Sequence, residues 1–118
     1  MRFLFAAALS FAVSTAWAGE VDVTNVKVRK TGTNTYRFDV TLKHADTGWD
    51  HYANKWEVIA PDGTVLGTRV LAHPHVEEQP FTRSLGGVKI AEGIKQVTIR
   101  GGDSVHGVGG VELKISLD

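Results

Sequence analysis

A chain of 118 residues without a single cysteine can use neither disulfides nor thiolate metal ligands, and it has no cysteine nucleophile. Its 13 Lys/Arg balance 13 Asp/Glu. No basic block interrupts that balance, which argues against nucleic acid and anionic membrane surfaces as partners.

The first eighteen residues read as a cleavable signal peptide. Met1-Arg2 is a short basic start, Phe3 to Val13 is an apolar run, and Ala16-Trp17-Ala18 places small residues where a signal peptidase cuts. The run falls short of the ~20 apolar residues that span a bilayer. Residue 19 is Gly rather than Cys, so no membrane anchor is expected after cleavage. The expected location is periplasmic or secreted, and residues 19–118 form one expected domain.

That domain reads as all β. Val21 to Val28 alternates but slips phase between Val23 and Val26, the mark of a bulge or of a strand that changes sheet. After a turn at Thr31–Asn34, residues Tyr36, Phe38, Val40 and Leu42 alternate with Arg37, Asp39, Thr41 and Lys43. The phase carries on to His44 and turns it inward. A third strand is predicted over Tyr52–Ala60, with Trp56 and Val58 on its core face. Pro61-Asp62-Gly63 is a tight turn. Further strands are predicted over Val65–Leu71, from Phe81 to Leu85 with a continuation to Ile90, over Val97–Arg100, and over Val111–Leu117. Glu57 and Arg69 are expected to pair across the third and fourth strands.

Seven short strands in about 100 residues predict an antiparallel β-sandwich of immunoglobulin or fibronectin type III kind. Trp56 on the third strand suits that pattern. The missing cysteine pair and the lack of a corner tyrosine depart from it. A small closed barrel is the alternative.

All five histidines fall in three connections. If the strands run up and down in order, connections 2–3, 4–5 and 6–7 share one end of the fold. These are His44–His51, Ala72–Pro80 and Gly101–Gly110, whereas the other end receives only plain turns. The candidate binding end therefore comprises His44, Asp46, Trp49, Asp50, His51, Tyr52, His73, His75, Arg83, Asp103 and His106. Long connections rich in polar groups are where sites are most often built.

Two readings of that end compete. One is a non-enzymatic module that binds a protein or small ligand, with Trp49 as an exposed platform. The other is a Zn or Cu site. His73-Pro74-His75 puts two imidazoles on the same side of an extended segment, which makes them the foremost candidate ligands, with a third ligand expected from His51, His106, His44 or Asp103. The plainer alternative for all of these groups is hydrogen bonding that orders the loops. A hydrolase is the weakest reading: Ser84 and Ser104 are present, but no nucleophile motif surrounds either. A metal-bound water would need an open coordination position.

The stretch Gly48-Trp-Asp-His-Tyr-Ala-Asn-Lys-Trp-Glu-Val58, with Pro61-Asp-Gly-Thr-Val-Leu-Gly-Thr-Arg69, His73-Pro-His-Val-Glu-Glu-Gln-Pro-Phe-Thr-Arg-Ser-Leu85 and Asp103-Ser-Val-His-Gly107, resembles a group of small exported bacterial proteins of unknown function. The resemblance implies export and a single sandwich-like domain. It carries over no catalytic or ligand residues.

Overall fold

The computed structural model describes residues 20–117, so the expected signal peptide lies outside the described residues. Seven strands follow in order: β1 (Asp22–Gly32), β2 (Thr35–Lys43), β3 (Ala53–Ile59), β4 (Val65–Val70), β5 (Phe81–Lys89), β6 (Gln96–Asp103) and β7 (Gly107–Ser116). They form two sheets, β1-β2-β5 and β4-β3-β6-β7. Every pairing is antiparallel. The fold is thus the expected all-β sandwich. One detail differs from the constant-type immunoglobulin arrangement, in which the fourth strand joins the sheet of the first. Here β4 pairs with β3.

The period-two pattern explains the core. Phe38, Val40 and Leu42 of β2 face Trp56 and Val58 of β3, and Val97 and Ile99 of β6 close the same layer. All are essentially excluded from solvent. The phase slip in β1 is a bulge: Val23 pairs with Leu42 and Asn25 with Thr41, leaving Thr24 as the extra residue. The start of β1 then lies against β7, where the Val111 amide donates to Asp22 Oδ1 at 2.9 Å. A side chain at Gly110 would run into the Val21 carbonyl, and its φ of 77° also favours glycine.

Two expectations are corrected. Gly101–Gly110 is not a long loop. β6 continues through Gly101 and Gly102 to Asp103, which pairs with Gly107, so the connection is a three-residue hairpin of Ser104, Val105 and His106. Gly101 is a strand residue whose Cβ would collide with Val21, so it marks close packing rather than a turn. Nor does Glu57 pair with Arg69. Glu57 stands opposite Thr68 and Arg100, and Arg100 Nε donates to Glu57 Oε1 at 2.8 Å. Arg69 is opposite Trp56, on the inner face, and its Nη1 donates across the sandwich to the Ser84 carbonyl at 2.8 Å.

Candidate functional site

The three connections 2–3, 4–5 and 6–7 meet at one end of the sandwich, and the site is assembled from strand ends. His44 follows β2 in the inward phase of Phe38, Val40 and Leu42, and it is buried. The Asp46 amide donates to the His44 carbonyl at 2.9 Å, a three-residue turn. That turn folds the Asp46 carboxylate back onto its neighbour, with His44 Nδ1 2.5 Å from Asp46 Oδ1. Asp46 also accepts the Ala53 amide on Oδ1 at 3.0 Å and the His75 amide on Oδ2 at 2.7 Å. One buried carboxylate thus ties the end of β2, the start of β3 and the 4–5 connection together.

Asp103 ends β6 and caps the hairpin. Its Oδ1 accepts the amides of Val105 at 2.9 Å and His106 at 2.5 Å, the side-chain turn expected of an Asp at this position. Its Oδ2 is left facing three imidazoles: His44 Nε2 at 3.1 Å, His51 Nε2 at 3.2 Å and His106 Nδ1 at 3.0 Å. His51 is brought there by a short turn in which the Thr47 amide donates to the His51 carbonyl at 3.0 Å. Burial raises the Asp103 pKa, but the backbone and ring N–H of His106, the Val105 amide and the His51 ring outweigh it. The carboxyl is held well below the usual range.

The proton arrangement around His44 is informative. Both Asp46 oxygens act as acceptors for backbone amides, so His44 Nδ1 carries the proton that it presents to Asp46. In the neutral ring Nε2 is then a lone pair, and it faces another acceptor, Asp103 Oδ2. Something positive must lie between them, either a second proton on His44 or a cation.

A cation fits the spacing. Among the described residues, His44, His51 and Asp103 form a group whose ligand atoms all lie within 4.8 Å of one another. A tetrahedral ion with bonds of about 2.0–2.1 Å has ligand–ligand edges near 3.3 Å. The two imidazole–carboxylate edges already have that length. The remaining edge, between the imidazoles, is no longer than 4.8 Å, and His51, whose side chain is 22% exposed against 0% for His44, is the ring with room to move.

His73 and His75 stand outside this group. Their ring centroids are 4.9 Å apart, as the extended His-Pro-His segment leads one to expect. Yet His75 Nε2 lies 2.9 Å from Arg83 Nη2, which can only donate, and the ring stacks on Phe81 at 4.0 Å. Burial, then the charge of Arg83, lowers the His75 pKa. His75 therefore props the 4–5 connection as a neutral ring, while His73 is exposed and its Nδ1 lies 3.3 Å from the Pro74 carbonyl. Arg83 also reaches Glu78 at 3.3 Å. Gln79, which no sequence motif singles out, takes the His44 amide on Oε1 and donates Nε2 to the His75 carbonyl.

The rest of the candidate end is a rim. Trp49 is 67% exposed and packs edge-on against Tyr52 at 5.5 Å. Asp50 is exposed beside it. The Tyr52 amide donates to Ser104 Oγ, and the Ser104 amide returns a bond to the Tyr52 carbonyl, so the rim is stitched to the hairpin. Ser84 Oγ donates to Asp39 Oδ1 at 2.6 Å. Both serines are thus committed to structural bonds.

The chain is 38% identical over 99 residues to a protein of Halomicrobium mukohataei described as "Putative lipoprotein". The matched stretch covers 84% of this chain and 48% of that protein, so the chain spans about half the length of the curated relative it matches. No family model and no solved structure matches.

Proposed function

We propose that this chain is an exported, non-enzymatic binding module whose ligand is a transition-metal dication, held at the histidine end of the sandwich by His44, His51 and Asp103. The observation that carries the reading is the placement of the buried His44 Nε2 3.1 Å from Asp103 Oδ2 while Asp46 Oδ1 engages its other ring nitrogen at 2.5 Å. A carboxylate behind a ligating histidine is the usual way proteins orient such a ligand. Charge supports it too. Two buried carboxylates, Asp46 and Asp103, carry the charge that one dication balances. Imidazole and carboxylate donors without thiolate suit Zn²⁺, Cu²⁺ or Ni²⁺ rather than Cu⁺. The leader read in residues 1–18 and the lipoprotein description of the relative both support a place in the cell envelope.

A second reading keeps the same end but a different ligand. Trp49, Val76 and Val105 are all more than half exposed there, which suits contact with a protein partner.

Thermal melting of the metal-free protein tests the first reading. Zn²⁺ or Cu²⁺ at 100 times its dissociation constant adds about 2.7 kcal/mol, a shift of roughly 10–20 °C for a domain of this size. His51→Ala removes a partly exposed ring while leaving its turn, so it is expected to abolish most of the shift. No shift in the wild type would reject the metal and leave the partner surface as the better reading.

A further inference from the structure

The imidazole and carboxylate groups gathered around Asp103 and His44 differ in depth. The side chains of His44 and Asp103, and of Asp46 behind them, are 0% exposed. Those of His51 and His106 are 22% and 31% exposed. The inner pair sits on the ends of β2 and β6, fixed by the core. The outer pair sits on the turn at 48–51 and the hairpin tip at 104–106, with ring centroids 5.0 Å apart. His106 Nδ1 stands 3.0 Å from Asp103 Oδ2, the same edge length that relates His44 and His51 to that oxygen. Three ring nitrogens thus face a single oxygen, but only His44, His51 and Asp103 hold their ligand atoms within 4.8 Å of one another among the described residues, so the partly exposed His106 ring joins them by swinging inward.

We propose that His106 Nδ1 is the fourth ligand, and that His51 and His106 form an exchange face through which the ion is taken up and passed on by ligand displacement. This rests on the metal reading above and says what kind of site it is. A fully buried set would release its ion only by spontaneous dissociation or by opening of the fold. Here an incoming donor can approach between two partly exposed rings while His44 and Asp103 keep hold. The incoming lone pair replaces that of His106 on the ion, with no change of oxidation state and no bond broken elsewhere. The exposed Trp49 and Val105 belong to the same turn and hairpin tip as these two rings and give an acceptor something apolar to rest on.

Removing the His106 ring leaves one bond of the turn in place, because its backbone amide donates to Asp103 Oδ1. The test loads full-length mature protein with one equivalent of Zn²⁺ and follows transfer to a chromogenic chelator at increasing chelator concentration. Transfer in the wild type is expected to speed up in proportion to chelator. His106→Ala is expected to bind Zn²⁺ roughly 10–100-fold more weakly, at least the loss seen when an outer-sphere partner is removed, and added imidazole is expected to restore affinity. Transfer at a rate independent of chelator would overturn the exchange face. Wild-type affinity in His106→Ala, or a loss that imidazole does not repair, would overturn the fourth ligand. Zn²⁺ bound by neither protein would reject the metal reading itself, a separate result. The wild-type kinetics decide the exchange question even if the variant folds poorly.

Discussion

Asp46→Asn is the most revealing single substitution in the domain. Asp46 receives three donors: His44 Nδ1 and the Ala53 amide on Oδ1, and the His75 amide on Oδ2. Asparagine offers one acceptor oxygen and turns an NH₂ toward the other side. If the oxygen keeps His44 and Ala53, the NH₂ meets the His75 amide, donor against donor. The lost bond was to a charged group, worth about 1.5–3 kcal/mol, and the pair left behind is buried. At roughly 4–8 °C per kcal/mol for a domain near 100 residues, the melting temperature of metal-free protein is expected to fall by about 6–24 °C. Metal affinity is expected to fall as well, by about 10–100-fold, because His44 loses the carboxylate that fixes its tautomer. Differential scanning calorimetry gives the first quantity and a Zn²⁺ titration the second. A variant that melts within 2–3 °C of the wild type, on the order of the ±0.5 kcal/mol of ordinary surface changes, would refute Asp46 as the tie between the three segments.

Two further outcomes follow from named contacts. His75 is held neutral by burial and by Arg83, with its pKa below 6.5 in the folded state. Its contribution is therefore full above pH 6.5 and is lost as pH falls from there through the lowered value. Metal-free wild type is expected to lose melting temperature from pH 7 to pH 5.5 more steeply than His75→Gln, and equal slopes would contradict this. Gly101→Ala puts a methyl into Val21 on β1 and is expected to cost about 1–3 kcal/mol. Denaturant unfolding checks it, and Gly101→Ala with Val21→Ala together is expected to cost less than the sum of the two.

Much of the fold was legible because β-strands announce themselves by alternation. In β2 the alternation alone puts His44 on the core side, and in β1 the slip in phase marks the bulge at Thr24. What failed to read through was glycine in a strand. Gly101 and Gly102 look like loop, yet they let β6 pass close to Val21 and Lys55. A tight hairpin therefore reads as a long connection. The Glu57–Arg69 pairing failed for a related reason: the register sets Arg69 opposite Trp56, so the two charges face opposite sides of the sheet.

The candidate site was legible as a region and not as a set. His73-Pro74-His75 draws attention because its two rings are near each other in sequence, and they are indeed adjacent in space. Sequence could not show that Arg83 and Phe81 claim His75. The group that converges is drawn from residues 44, 51 and 103, whose meeting depends on β2 and β6 ending at the same level in opposite sheets. Nothing local encodes that. The role of Asp46 was equally hidden, since it depends on a turn that folds back over only two residues.

Titration of metal-free, full-length mature protein with Zn²⁺, followed by heat and by bound metal per chain, tests most directly whether this end of the sandwich is a metal site. One ion per chain in the wild type, and none or only weak binding in His51→Ala, is the result expected. A wild-type chain that takes up no ion, or one that binds equally well without His51, would contradict it.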